Sequence, residues 1–134
     1  MRIAQRLGTI AVWVLQVLGA VVFVLIGVAK FGDGSWARSF ARWGYPDGFY
    51  MVIGALEVLG GLALLAPRTA SYGAALLGAI MIGAAATHWL LGENGRVVAP
   101  LMYLAVLVGI GLARRANAVR PASRRTAARE LGPM

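Results

Sequence analysis

The residue in this 134-residue chain with the clearest capacity for chemistry is Glu57, at the centre of residues 48–66, GFYMVIGALEVLGGLALLA. It is the only acidic or basic residue in an apolar run of membrane length. A carboxylate there has no solvent around it, so it must face protein or water, stay protonated, or find a partner. Such a group can exchange a proton with a bound ligand or hydrogen-bond to it; the plainer reading is a protonated carboxyl that ties two helices together. Both stay open at this point, and Glu57 is the candidate proton-handling residue. Gln16, Lys30, Thr87, His88 and Glu93 are the other polar candidates, and Trp36, Phe40, Trp43 and Tyr45 supply aromatic faces near one end of the run.

Other chemistries are excluded or disfavoured by the residue inventory. With no cysteine and one histidine, thiolate chemistry is absent and a metal centre of three or four ligands is not expected. No nucleophile with a paired base, phosphate-binding loop or pair of axial haem ligands occurs. No intrinsic cofactor is therefore expected, and any electron carrier has to be borrowed from a partner.

The elements that must position these residues are helices in a bilayer. The chain is 60% hydrophobic and 13% charged, with mean hydropathy +0.75, more than a small soluble domain can hide. Four apolar runs predict spans at about 9–29, 48–66, 70–91 and 97–113. The first is too long for a signal peptide. Between spans one and two, Trp36, Phe40 and Trp43 at spacing i, i+4, i+7 oppose Arg38 and Arg42, which predicts a short amphipathic interfacial helix. Pro67 ends the second span, the polar loop 92–96 ends the third, and Pro100 falls in the first turn of the fourth. The fold class is thus an all-α integral membrane four-helix bundle over residues 1–113, followed by a basic tail, 114–134, read as disordered and lying on anionic lipid.

The net charge of +8 and pI near 11.4 reflect topology, since no recognition motif for nucleic acid accompanies them. Arg2, Arg6, Arg68 and six tail arginines make nine basic residues on one side, against Lys30, Arg38, Arg42 and Arg96 on the other. Both termini are then cytoplasmic.

Small residues four apart, Ala75, Ala79, Gly83 and Thr87 in the third span and Ala105, Gly109 and Ala113 in the fourth, predict faces turned into the bundle. Gly54, Glu57 and Gly61 form a similar stripe in the second. Gln16 is expected at the depth of Glu57 and is its first candidate partner. Lys30 is read as a snorkelling anchor near the outer surface, His88 as an interfacial side chain satisfied by a helix-end carbonyl, and the aromatic cluster as an interfacial belt with a ring-binding lid as the alternative. Glu93 lies just outside. The set describes a pocket with Glu57 and Gln16 deep, Lys30, His88 and Glu93 at an outer mouth, and the amphipathic helix above.

Specific residues also resemble a known pattern. Gly27-x-x-Lys30-Phe31, Trp43-Gly44-Tyr45-Pro46, Gly54-x-x-Glu57-x-x-Gly60-Gly61, Pro67-Arg68, and Met81-x-Gly83-Ala84 leading to Thr87-His88 and Gly92-Glu93 are similar to the DoxX family of small four-helix bacterial membrane proteins. The likeness runs through the first three spans; the fourth span and the tail are generic. It implies a bacterial inner-membrane protein. Relatives include a membrane subunit associated with thiosulfate to quinone electron transfer and members linked to an oxidative-stress complex. The expected function is an accessory subunit of a membrane oxidoreductase system with a lipophilic pocket for quinone around Glu57. The alternative is a non-catalytic assembly or interaction factor. Expected partners are the lipid bilayer, membrane or soluble oxidoreductase subunits and a second copy of the chain, with no nucleic acid.

Overall fold

Runs of Leu, Val, Ala and Ile with few helix breakers make this chain helical wherever glycine and proline do not punctuate it. The computed structural model describes residues 2–119. They form five α-helices: α1 (Arg2–Ala29), α2 (Ser35–Arg42), α3 (Phe49–Leu65), α4 (Ala70–Leu90) and α5 (Asn94–Val119). No strand occurs among the described residues. Helices α1, α4 and α5 are long and apolar enough to cross a membrane, and α3 is a shorter apolar helix of 17 residues. The short α2 lies between α1 and α3, as its amphipathic pattern predicts. Gly34, Gly44, Gly48 and Gly92 mark the bends with positive φ, where a side chain would be strained.

Three boundaries differ from the sequence reading. Helix α1 begins at Arg2 instead of near residue 9, and α5 begins at Asn94 and continues to Val119. Hydropathy locates the greasy centre of a helix; the hydrogen-bonded ends continue through Arg, Gln and Ala, which are good helix formers. Arg114 and Arg115 therefore belong to α5 and not to a tail. Pro100 lies inside α5, one turn further in than expected, where it removes a backbone donor and leaves the carbonyl of Arg96 without its helical partner. Residues 120–134 of the expected tail lie outside the described residues.

The helices pack in a ring. Helix α1 lies along α3, α3 along α4 and α4 along α5, all extensively, whereas α5 closes on α1 with far less contact and α2 rests on α3. Glycines set the first two seams. A methyl group at Gly27 would stand 2.6 Å from the Gly54 carbonyl oxygen, and one at Gly73 would stand 2.8 Å from that of Gly60. The backbones touch there, which gains dispersion contact where a bilayer offers no hydrophobic drive between helices. The core behind them comprises Ala20, Phe23, Leu64, Ala74, Leu77, Met81, Leu107 and Ile110.

The small-residue ladders do not pack as predicted. Helix α4 buries Gly73, Ala74, Leu77, Gly78, Met81 and Ala85, while Ala75, Ala79 and Gly83 are exposed, as are Ala105 and Gly109 on α5. The α4–α5 seam uses other small residues, Ala74 and Gly78 of α4 facing Gly111 and Leu104 of α5, so the predicted ladders are not the ones that meet. Leu25, Ile82 and Leu112 stand outward, each well exposed.

Gly27→Ala should lower stability by about 1–3 kcal/mol, because the new methyl meets backbone that cannot yield. Gly109→Ala, where nothing lies within 4 Å of an added Cβ, should leave the Tm unchanged or slightly higher. Thermal unfolding of the two variants in detergent checks the contrast, and equal Tm values would refute the close-packed α1–α3 seam.

Candidate functional site

The antiparallel register of α1 and α3 decides where the polar residues meet. Gly27 faces Gly54 and Val58, and Ala20 and Val24 face Gly61, so Glu57 is level with residues 24–27 of α1. Side chains of a helix tilt toward its N-terminus. Lys30, at the end of α1, therefore hangs back into the bundle, and Glu57 on α3 reaches the opposite way. They meet: Lys30 Nζ donates to Glu57 Oε2 at 2.6 Å, with each residue only 3% exposed. Lys30 is thus no snorkelling anchor; its ammonium also lies 4.0 Å from the Trp36 ring centroid. A charged pair this deep is desolvated at a cost of several kcal/mol per ion, and each charge depends on the other to offset it.

The pair forms part of the wall of a cavity of about 990 Å³. Side chains from all five helices line it. Phe23 and Ile26 come from α1, Ser35, Trp36, Ser39 and Phe40 from α2, Ile53 and Leu56 from α3, Thr87 and His88 from α4, and Arg96, Pro100 and Tyr103 from α5. Trp43 and Tyr45, just beyond α2, also line it. Phe40, 7% exposed, is the hub of the aromatic cluster. Its ring centroid is 5.4 Å from Trp43, 5.3 Å from Tyr45, 6.1 Å from Phe49 and 6.3 Å from both Trp36 and Tyr50. Such tilted packings are the favoured aromatic geometries. The amphipathic helix therefore turns its rings inward as a roof over the cavity, the alternative to a lipid-facing belt.

Side chains tie that roof to α4. The hydroxyls of Tyr45 and Thr87 share a hydrogen bond of 2.5 Å, and Thr87 also donates to the Gly83 carbonyl at 2.8 Å. The Trp43 ring meets His88 edge to face at 5.2 Å. His88 does not end on a helix-end carbonyl, as the sequence suggested: its Nδ1 bonds Glu93 Oε2 at 2.7 Å, and Arg96 lies 3.8 Å from the same oxygen. The hydrogen bond from His88 holds the Glu93 carboxyl below its ordinary value of 4.5 against a smaller opposing effect of desolvation. Asp33, before α2, is likewise held below the usual carboxylate range, chiefly by the Ser35 backbone N–H donating to it.

Gln16 is not part of this site. It is fully buried, but its amide donates to the Leu64 carbonyl, about two turns beyond Glu57. Its oxygen accepts from Arg114 Nε at 2.6 Å, and the Arg114 guanidinium lies 4.6 Å from the Trp13 ring centroid. The expected Gln16–Glu57 contact fails because the glycine register sets Glu57 level with residues 24–27 of α1, about two turns from Gln16. Of the candidate residues, Glu57, Lys30, Trp36, Phe40, Trp43, Tyr45, Thr87 and His88 line the cavity, Glu93 supports His88 from beside it, and Gln16 lies apart. Among the described residues no group of three His, Cys, Asp or Glu side chains could hold a metal ion.

The sequence profile of the DoxX-like family matches residues 14–110, from the middle of α1 to the last third of α5. The chain belongs to the DoxX-like family. No curated protein and no solved structure matches it. In this DoxX-like chain α5 is not generic: it supplies Arg96, Pro100 and Tyr103 to the cavity and Arg114 to Gln16. The one signal in the sequence that pointed there was Pro100, whose place inside a span marks a backbone irregularity.

Lys30→Met should cost about 3–5 kcal/mol by leaving Glu57 buried without its partner, and the double substitution Lys30→Met with Glu57→Leu should recover most of the loss. A double-mutant cycle in detergent measures this, and a neutral single substitution would contradict the buried pair. A second outcome concerns pH. Because the folded Glu93 carboxyl titrates below 4.5, its support of the α4–α5 turn is complete above that value and is lost as pH falls beneath it. Trp43 fluorescence should change reversibly in that acid range in the native protein and stay flat in Glu93→Gln.

Proposed function

We propose that this protein is a multi-pass membrane protein of the bacterial cytoplasmic membrane that receives a quinone-like molecule in its aromatic cavity and serves as an accessory subunit of a membrane oxidoreductase system. The observation that carries the reading is a ligand-sized cavity with a hydrogen-bonded lysine–carboxylate pair in a mainly aromatic and aliphatic wall. Cavities that bind small organic molecules have this composition: an apolar lining and a few converging polar groups. The four spans are α1, α3, α4 and α5. At 17 residues α3 is at the short end of what crosses a bilayer. Nine basic residues flank the end that carries the termini and four the other, which supports cytoplasmic termini and a cavity on the outer side.

In this reading the rings of Trp36, Phe40, Trp43 and Tyr45 hold the ligand ring by edge and face contacts. Lys30 donates to a carbonyl oxygen, and the indole N–H of Trp43, which also lines the cavity, is a second donor. Glu57 takes up or releases the proton that accompanies redox change of the ligand. The ligand supplies the electron-accepting chemistry, and a partner subunit supplies the electrons, since the chain carries no cysteine and no metal-ligand cluster among its described residues. Buried ionisable residues at membrane depth serve such proton relays.

A second reading, an assembly or interaction factor for other membrane proteins, has one observation in its favour. The small residues Ala105 and Gly109 face outward on α5 and leave room for another helix. A stable protein partner without bound ligand would favour this reading.

Protein purified in mild detergent should retain a quinone detectable by mass spectrometry, and Phe40→Ala and Glu57→Gln should each lower its occupancy about tenfold, equivalent to about 1.4 kcal/mol. Purified protein that neither retains quinone nor alters quinol oxidation by a partner would sink the proposal.

A further inference from the structure

The cavity has one loosely closed side. Around its rim, α1 is held to α3 by the glycine seam and the Lys30–Glu57 pair, α3 to α4 by Gly60 and Gly73, and α4 to α5 by the most extensive packing in the bundle. The roof is tied to α3 through Phe40 with Phe49 and Tyr50, and to α4 through Tyr45–Thr87 and Trp43–His88. Among the described residues no hydrogen bond, ion pair or aromatic contact joins α2 to α5, and α1 and α5 share the sparsest packing of the four helical seams. Yet both helices of that seam line the cavity: Phe23 and Ile26 on one wall, Ala99 and Tyr103 on the other.

The seam is closed at its other end. Arg114 and Gln16, with the Arg114 guanidinium against Trp13, join α5 to α1 there. Above that tie, Phe23 meets Tyr103 edge to face at 5.6 Å. Ala99 is one turn nearer the roof on the same face as Tyr103, is exposed, and has a small side chain. Above the Phe23–Tyr103 pair the cavity is therefore bordered on this side by Ile26 of α1 and Ala99 of α5, where the two helices pack most sparsely.

We propose that the sparsely packed α1–α5 seam above the Phe23–Tyr103 pair is a slot that serves as the tail site of this cavity, so that the ligand class is an amphiphile whose head lies near Lys30 and Glu57 while a hydrocarbon tail passes between Ile26 and Ala99 into the lipid. This rests on the reading of the cavity as a ligand site and narrows it from any lipophilic ring to head-and-tail molecules. The physical reason is continuity. A tail confined in a closed cavity would compete with the head for space, whereas a tail lying in the slot exchanges one apolar environment for another at little cost, since lipid chains are as apolar as the walls. It also gives the sparse α1–α5 packing a role that a closed bundle would not require.

The test uses the full chain in lipid nanodiscs and two probes with one head: a methoxylated benzoquinone without a side chain and the same head bearing a decyl tail, each with affinity corrected for partition into lipid. The native chain should bind both. Ala99→Trp, which fills the slot from α5, should weaken the decyl probe at least about tenfold while changing the tail-less probe less than about twofold. Ile26→Trp, from the opposite wall, should do the same. The retained tail-less binding reports that each variant is folded. If both variants weaken the two probes equally, or weaken neither, the slot is not a tail site although the head site stands. Binding of neither probe by the native chain overturns the head site and the slot together.

Discussion

A lysine and a glutamate, each almost wholly removed from solvent and 2.6 Å apart, are the constraint around which the other features of this bundle arrange themselves. Two opposite charges in an apolar interior are tolerable only when their contact is close and their remaining bonding capacity is met or screened. The close contact requires α1 and α3 to approach within glycine distance, and Gly27, Gly54 and Gly61 provide that approach. The screening comes from Trp36, whose ring face lies over the ammonium, and Trp36 can stand there because α2 is folded back over the bundle end. The register of one seam, the place of the amphipathic helix and the composition of the cavity wall are thus linked through a single ion pair.

The part of this arrangement that was legible in the sequence is the part fixed by local pattern. A carboxylate in an apolar run and aromatics at i, i+4, i+7 pointed to polar residues beneath an amphipathic helix, with an interfacial belt as the first reading of the rings and a lid as the alternative, and eight of the ten candidate residues line one cavity. Partner choice was not legible, because it depends on register between helices far apart in the chain. Gln16 and Lys30 are both polar residues of α1, and only the pairing of Gly27 with Gly54 determines that the second, not the first, meets Glu57. Side-chain direction was decisive as well: counted by Cα position, Lys30 is above Glu57, but the tilt of side chains toward each helix N-terminus brings the two heads together. Arg114 is illegible for a related reason, since a charge at the end of an apolar run looks like the start of a tail, and only the fold sets its guanidinium over Trp13.

The small-residue ladders show the limit of another rule. Spacing of four identifies a face on which helices can approach, but not which faces do. Backbone contact on α3 is made on both sides, Gly54 and Gly61 toward α1 and Gly60 toward α4, so α3 is the element that the ring closes around. Once α4 has placed Gly73 against α3 and Leu77 and Met81 into the core, its ladder of Ala79, Gly83 and Thr87 is left facing the cavity, where small side chains create volume. The same residues that would have tightened a helix pair instead make room beside the aromatic roof.

The two ends of the bundle consequently differ in kind. At the end carrying the chain termini, Gln16 donates to the Leu64 carbonyl and accepts from Arg114, which joins α1, α3 and α5 in one network. At the other end the polar groups are distributed around the cavity: Lys30 with Glu57 on one side, His88 with Glu93 and Arg96 on the other. A bundle packed only for stability would fill that volume, because unfilled core costs stability, and here polar pairs and the aromatic roof surround it instead.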